Sequence, residues 1–143
     1  MAQRTVEQRL RRFLLAVVAA ILFGSIFELI LLDHYEEPLQ WVPFIVSAIG
    51  FLTVAAVWFA PSSTALQVFR WVMAGVALTS IVGIGLHFNG NLEFTREINP
   101  SYSLAESIWP AIKGSYPLLA PGILFLAGIL GLAATYRHPL FDE

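Results

Sequence analysis

Long apolar runs alternate with short polar breaks along this chain, and four of the runs are long enough to cross a membrane as helices. A hydrocarbon core about 30 Å thick takes about 20 residues at about 1.5 Å each. The first run covers about Phe13 to Leu32, broken only by Gly24, Ser25 and Glu28, and Asp33 ends it. After the acidic link Asp33-His34-Tyr35-Glu36-Glu37, Pro38 suits the first turn of a helix, where a missing N–H costs nothing. The second run extends over about 39–60 and is closed by Pro61; the third covers about 69–88, with Arg70 assigned to the connection before it. Asn89-Gly90-Asn91 reads as a turn that opens the one long connection. Within it, Ser103 and Glu106 have the spacing of a capping box, which predicts a short helix carrying Leu104, Ile108 and Trp109 along the membrane surface. The fourth run covers about 117–136, with Pro121 and Gly122 in its first turns.

The pattern predicts a single domain over 1–143: an all-α, integral membrane, antiparallel four-helix bundle with a short interfacial helix in its third connection. Basic residues orient it. Arg4, Arg9, Arg11 and Arg12 precede the first span, Arg70 precedes the third and Arg137 follows the fourth, whereas the other two connections hold only Arg96 and Lys113. The positive-inside rule then places both termini in the cytoplasm, as in a bacterial-type inner membrane. Asp33, Glu36, Glu37, Glu93, Glu97 and Glu106 all fall on the outer side, and Trp41 and Trp109 mark one boundary, Trp58 and Trp71 the other.

Composition agrees. A hydrophobic fraction of 57%, a charged fraction of 13% and a mean hydropathy of +0.73 do not suit a soluble surface. The net charge of -2 leaves no basic face for nucleic acid. The absence of cysteine excludes disulfides, thiolate metal sites and covalent haem attachment.

Lipid tails are as apolar as leucine, so membrane helices associate where small residues let backbones approach. Ala20 and Gly24 lead to Glu28 at four-residue spacing; Gly75, Thr79 and Gly83 lead to His87; Ala127 and Gly131 lead to Thr135. These stripes are expected to mark helix-packing faces, which would turn Glu28 and His87 toward the interior. An acid within a span is costly unless it is paired, protonated or hydrated, which makes Glu28 a candidate functional residue.

Glu28, His34, Glu37, His87 and Glu93 fall at one membrane level and form a nitrogen and oxygen donor set suited to zinc, iron, manganese or copper. No established ligand spacing such as H-E-x-x-H accompanies them. A haem held by His34 and His87 ranks behind a metal ion, because haem ligands belong deeper and on facing helices.

The span count together with Glu28 is similar in outline to the small multidrug resistance transporters, in which such a glutamate exchanges protons for cationic drugs. That resemblance implies a proton-coupled transporter using Glu28. It covers one residue and the number of spans, and here Glu28 lies near the end of its span rather than at the midplane. Four-span quinone-linked disulfide enzymes are excluded by the missing cysteines. The leading expectation is a non-enzymatic accessory or assembly subunit, with the bilayer and other membrane subunits or further copies of the chain as partners. An outer-face metal-binding protein is the alternative, and a small transporter stands third.

Overall fold

A computed structural model describes residues 2–141, which are all-helical with no strand among them. The helices are α1 (Ala2–Leu31), α2 (Trp41–Phe59), α3 (Ser63–Ile98), α4 (Leu104–Ile112) and α5 (Leu119–Ala134), with 3-10 turns at Pro38–Gln40 and Pro139–Phe141. Met1, Asp142 and Glu143, part of the single domain read over 1–143, lie outside the described residues. Three segments are long and apolar enough to cross a membrane: Val6–Leu31, Pro38–Phe59 and Ser63–Ile98. The helix Leu119–Ala134 is apolar but shorter, at 16 residues.

Local chemistry sets most of the ends. Asp33, at φ 50°, closes α1 in the left-handed conformation that short polar side chains tolerate. The His34 N–H then returns to the Leu29 carbonyl at 2.9 Å and the Asp33 N–H to that of Ile30 at 3.2 Å. That pair of bonds is a Schellman motif, which satisfies carbonyls the helix end leaves open. Before α2, the Gln40 side-chain oxygen accepts the Glu36 and Glu37 N–H groups at 2.8 and 3.1 Å. Ser62 caps α3 by accepting the Ala65 N–H at 3.1 Å. Ser103 and Glu106 form the capping box of α4, which runs through Pro110 to Ile112.

The third helix departs most from the sequence reading. It begins at Ser63, so Arg70 stands two turns inside a helix rather than in a connection. It also continues through Asn89-Gly90-Asn91 to Ile98, reaching 36 residues, or about 54 Å at about 1.5 Å per residue. Turn propensity loses here to tertiary contact. The Asn91 side chain is consumed by bonds to the backbone of Tyr116, and the Gly90 position is covered by the Tyr116 ring. Asn89 donates to Glu93 one turn on at 2.7 Å, a pairing that supports a helix.

α3 packs on α5, α2 and α4, and α1 packs on α2 and α5. The core joins Leu15, Val18 and Leu22 of α1, Val54 and Val57 of α2, Leu66, Phe69, Met73 and Val76 of α3, and Leu124, Ala127 and Ala134 of α5. Met73 lies at its centre. Gly131 stands against Met73 and Phe69, while Gly128 approaches the Met73 carbonyl and Ala77. Pro121 falls in the first turn of α5, where its missing N–H leaves no helical bond broken, and its carbonyl accepts the Ser80 hydroxyl. Ser47 is fully buried in α2, and its hydroxyl has no partner among the described residues.

The inward face of α1 differs from the one expected. Leu15, Val18, Leu22 and Ser25 are buried, whereas Ala20, Gly24 and Glu28 are exposed. Leucine and valine side chains fill most of the inward face of this helix, while Ala20 and Gly24 lie on the other side. On α3, Gly75 is exposed while Thr79, Gly83 and His87 are half-buried; on α5, Ala127 and Gly131 are buried.

One polar contact ties the two chain ends together. The Arg11 guanidinium donates to the carbonyls of Ala134, Tyr136 and Arg137 at 3.1, 2.8 and 2.9 Å. Ala134 is the last residue of α5 and the other two carbonyls follow it, so the cation sits at the carbonyl end of the helix, where it suits the dipole.

Candidate functional site

The Schellman turn that ends α1 sets His34 back against the helices, where it is half-buried. His87, near the middle of the second half of α3, comes from the other side, and the two rings lie 6.4 Å apart, centre to centre, edge to face. His87 Nδ1 is 3.0 Å from the Pro117 carbonyl oxygen. A carbonyl only accepts, so in the neutral ring Nδ1 carries the proton and Nε2 keeps the lone pair. The Tyr116 ring stands 6.0 Å from His87 on a further side.

One turn beyond His87 on α3 stands Asn91, which is only 1% exposed. Its Oδ1 accepts the Tyr116 N–H at 2.9 Å, and its Nδ2 donates to the Tyr116 carbonyl at 2.8 Å. The carboxamide thus pairs with a peptide unit as another peptide unit would. Gly114 makes room for it, since a Cβ there would fall on the Asn91 side chain. The segment leading from α4 into α5, which carries both Tyr116 and Pro117, is therefore held to α3 at two neighbouring points.

Electrostatics follow from this packing. Burial, and secondly the neighbouring His87, hold the His34 pKa below its usual value. Tyr35 donates its hydroxyl proton to Asp33 at 2.6 Å, and that bond holds its pKa above the ordinary phenol range. Glu106 accepts from the Ser103 hydroxyl and N–H at 2.6 and 2.8 Å, which holds its carboxyl below the usual range.

The five residues read as metal ligands do not converge. His34 and His87 come together, while Glu28, Glu37 and Glu93 are all exposed, with Glu93 accepting from Asn89. Among the described residues no three histidine, aspartate or glutamate side chains could hold one metal ion. The physical reason is orientation: α1 turns Glu28 away from the interior, and α3 places Glu93 on a different face from the one carrying His87 and Asn91. Sequence reasoning missed Asn91, Gly114 and Pro117. The Asn-Gly-Asn signal was visible, but nothing in its spacing points to a peptide 25 residues away. Comparison with protein families, with curated proteins and with solved structures gives no match.

A pH dependence follows. Because the His34 pKa is lowered on folding, the unfolded chain takes up this proton first, at about pH 6.5. The associated stability is fully present above that pH and is lost as the pH falls through the lower folded value. Burial and then Arg11 lower the His138 pKa, with the same sign. The melting temperature in detergent is expected to drop between about pH 7.5 and 5.5, and to drop less in His34→Leu. An identical drop in the variant would remove His34 from the account.

Proposed function

We propose that this chain is an integral membrane protein of four antiparallel spans, with both termini cytoplasmic, which serves as a non-enzymatic accessory subunit by packing laterally against helices of a larger membrane complex. α5 supplies the fourth span; at about 24 Å it is short, and the Pro117-Leu118 entry adds length. The contact of α1 with both α2 and α5, and of α3 with the same two, suits a closed bundle. Arg11, Arg12, Arg70 and Arg137 cluster toward one end of that arrangement and, Glu7 apart, the acidic side chains of the described residues fall toward the other, which supports the orientation. α4 turns Ser107 and Ala111 onto α3 and leaves Leu104, Ile108, Trp109 and Ile112 exposed, a face suited to the bilayer surface. Lys113 over the Trp109 ring, 5.1 Å from its centre, places a cation beside that face at headgroup level.

The observation that carries the subunit reading is the outer face of α1. Nothing lies within 4 Å of a Cβ placed at Gly24. One turn on, Glu28 is exposed, and its carboxyl group has no hydrogen-bond or ion-pair partner among the described residues. A carboxylate facing acyl chains is expensive, and a Gly/Ala stripe gives lipid nothing that leucine would not. A neighbouring helix seated there would meet both, with close backbone approach at Gly24 and a hydrogen-bond donor for Glu28.

The test is Gly24→Leu. The open surroundings mean that it leaves the chain's own fold intact, while a leucine would hold a neighbouring helix off. Partner subunits recovered in mild detergent from the native membrane should fall at least about tenfold, a loss of about 1.4 kcal/mol. A single-chain particle from wild-type membranes, even after cross-linking in place, would overturn the reading.

A further inference from the structure

The histidine pair joins two backbones that are each fixed on their own. His34 follows the Schellman turn that closes α1, and His87 stands on α3, just before the buried Asn91. The His87 Nδ1–H donates to the Pro117 carbonyl at 3.0 Å. Imidazoles that hold a metal ion commonly donate their other N–H to a backbone carbonyl in this way, which fixes the ring and leaves Nε2 as the ligand atom. The His34 imidazole makes no hydrogen bond with any described residue, so no such bond opposes a turn about Cβ–Cγ. That turn re-aims its nitrogens and leaves the ring centre almost where it is.

We propose that His34 and His87 bind one copper(I) ion between them, in nearly linear coordination by two nitrogens. The proposal does not depend on the subunit role. Distance decides the geometry. A metal–imidazole bond of about 2.0 Å puts each ring centre about 3.1 Å from the ion. Two rings on opposite sides of one ion then have centres about 6.2 Å apart, against about 5 Å at a tetrahedral angle. The observed separation is 6.4 Å. The rings meet edge to face, at 63°, so His34, which no hydrogen bond holds, is the ring that turns to bring both nitrogens onto one ion. The donor set decides the metal. Among the described residues no third His, Asp or Glu joins the pair, and the chain has no cysteine. Zinc takes four ligands, and calcium and magnesium take oxygens. Copper(I) is satisfied by two neutral nitrogens in line, and imidazole suits copper. Both rings are half-buried at the end of the bundle, near enough to the surface for an ion to enter and sheltered enough to limit its water shell.

Full-length protein in detergent, titrated without oxygen against copper(I) held by a coloured chelator, tests this. Wild type should draw one copper per chain from the chelator. X-ray absorption at the copper edge should then show two nitrogen neighbours in line and no sulfur. His87→Asn keeps an N–H for the Pro117 carbonyl but has no nitrogen in the place of Nε2, and His34→Phe keeps a ring without nitrogen. Each folded variant should hold copper at least about a hundredfold more weakly than wild type. Copper left with the chelator by wild type, an unchanged affinity in either folded variant, or zinc(II) bound as tightly as copper(I) would each overturn the proposal. Should both variants fail to fold, the wild-type spectrum decides: three or more neighbours, or a sulfur among them, would overturn it equally.

Discussion

Gly128→Ala should cost about 3 kcal/mol, and Gly128→Leu should leave no folded protein. A Cβ at Gly128 would lie 2.7 Å from the Met73 carbonyl oxygen, 2.9 Å from the Ala77 nitrogen and 2.8 Å from the Ala77 Cβ. Two of these three atoms are backbone, so no rotamer change relieves the contact; α3 and α5 would have to separate, and the core around Met73 would open with them. Gly131 makes the comparison informative. A Cβ there would come to 2.5 and 2.6 Å from the Met73 Cγ and Sδ, both part of a flexible side chain that can move aside. Gly131→Ala should therefore cost half as much or less. Gly122→Ala, with nothing within 4 Å of the added methyl, should be neutral or slightly stabilising because alanine favours helix over glycine by about 1 kcal/mol. Unfolding midpoints of the three variants in one detergent give the ranking. A Gly128→Ala protein as stable as Gly122→Ala would mean that α3 and α5 do not approach as described.

Asn91→Leu should cost about 3 kcal/mol, and its effect should be local. The substitution keeps the volume but leaves the partly buried Tyr116 N–H and carbonyl without their protein partners. Each lost bond contributes about 1 kcal/mol, and stranding a buried polar group costs about as much again or more. The amide of Tyr116 should then exchange with solvent much faster, while amides in the middle of α2 stay protected. Asn91→Asp separates geometry from size. Ionised, it retains an acceptor for the Tyr116 N–H but turns a second oxygen toward the Tyr116 carbonyl, so it should be the less stable of the two at neutral pH. The protonated form supplies a donor again, so this variant should gain stability on acidification while Asn91→Leu does not. Equal exchange at Tyr116 in wild type and Asn91→Leu would show that the clamp does not hold the α4–α5 segment.

These two sites show what could be read from residue order alone. The all-helical character and the three long apolar helices were legible, because runs of apolar residues of membrane length leave the backbone no other economical way to satisfy its hydrogen bonds. Ser103 and Glu106 announced α4, since a capping box is a local exchange between groups three residues apart. Pro38 opens the 3-10 turn that leads into α2, whereas α4 runs through Pro110 and α5 begins two residues after Pro117.

Facing was not legible. From Phe13 on, almost every position of α1 is apolar, so periodicity does not distinguish a buried side from a lipid-facing one, and the Ala20-Gly24-Glu28 stripe lies on the outside. The donor set of Glu28, His34, Glu37, His87 and Glu93 was assembled by level along the helix axis, but a ligand set needs convergence around that axis, and only the two histidines meet. Asn89-Gly90-Asn91 carries strong turn propensity, worth about a kilocalorie per residue, which a buried two-point bond to Tyr116 outweighs.

Residue order by itself determined that this chain is helical and which stretches are long and apolar enough to cross a membrane. Propensity, length and local capping act between near neighbours, so they are written in sequence. The tertiary structure alone decided that α3 continues past its turn signal, that Asn91 clamps Tyr116, that Arg11 caps α5 and that Gly128 lies against the backbone of α3. Each of these joins residues 25 or more apart, and it forms only once packing has chosen which face of each helix turns inward.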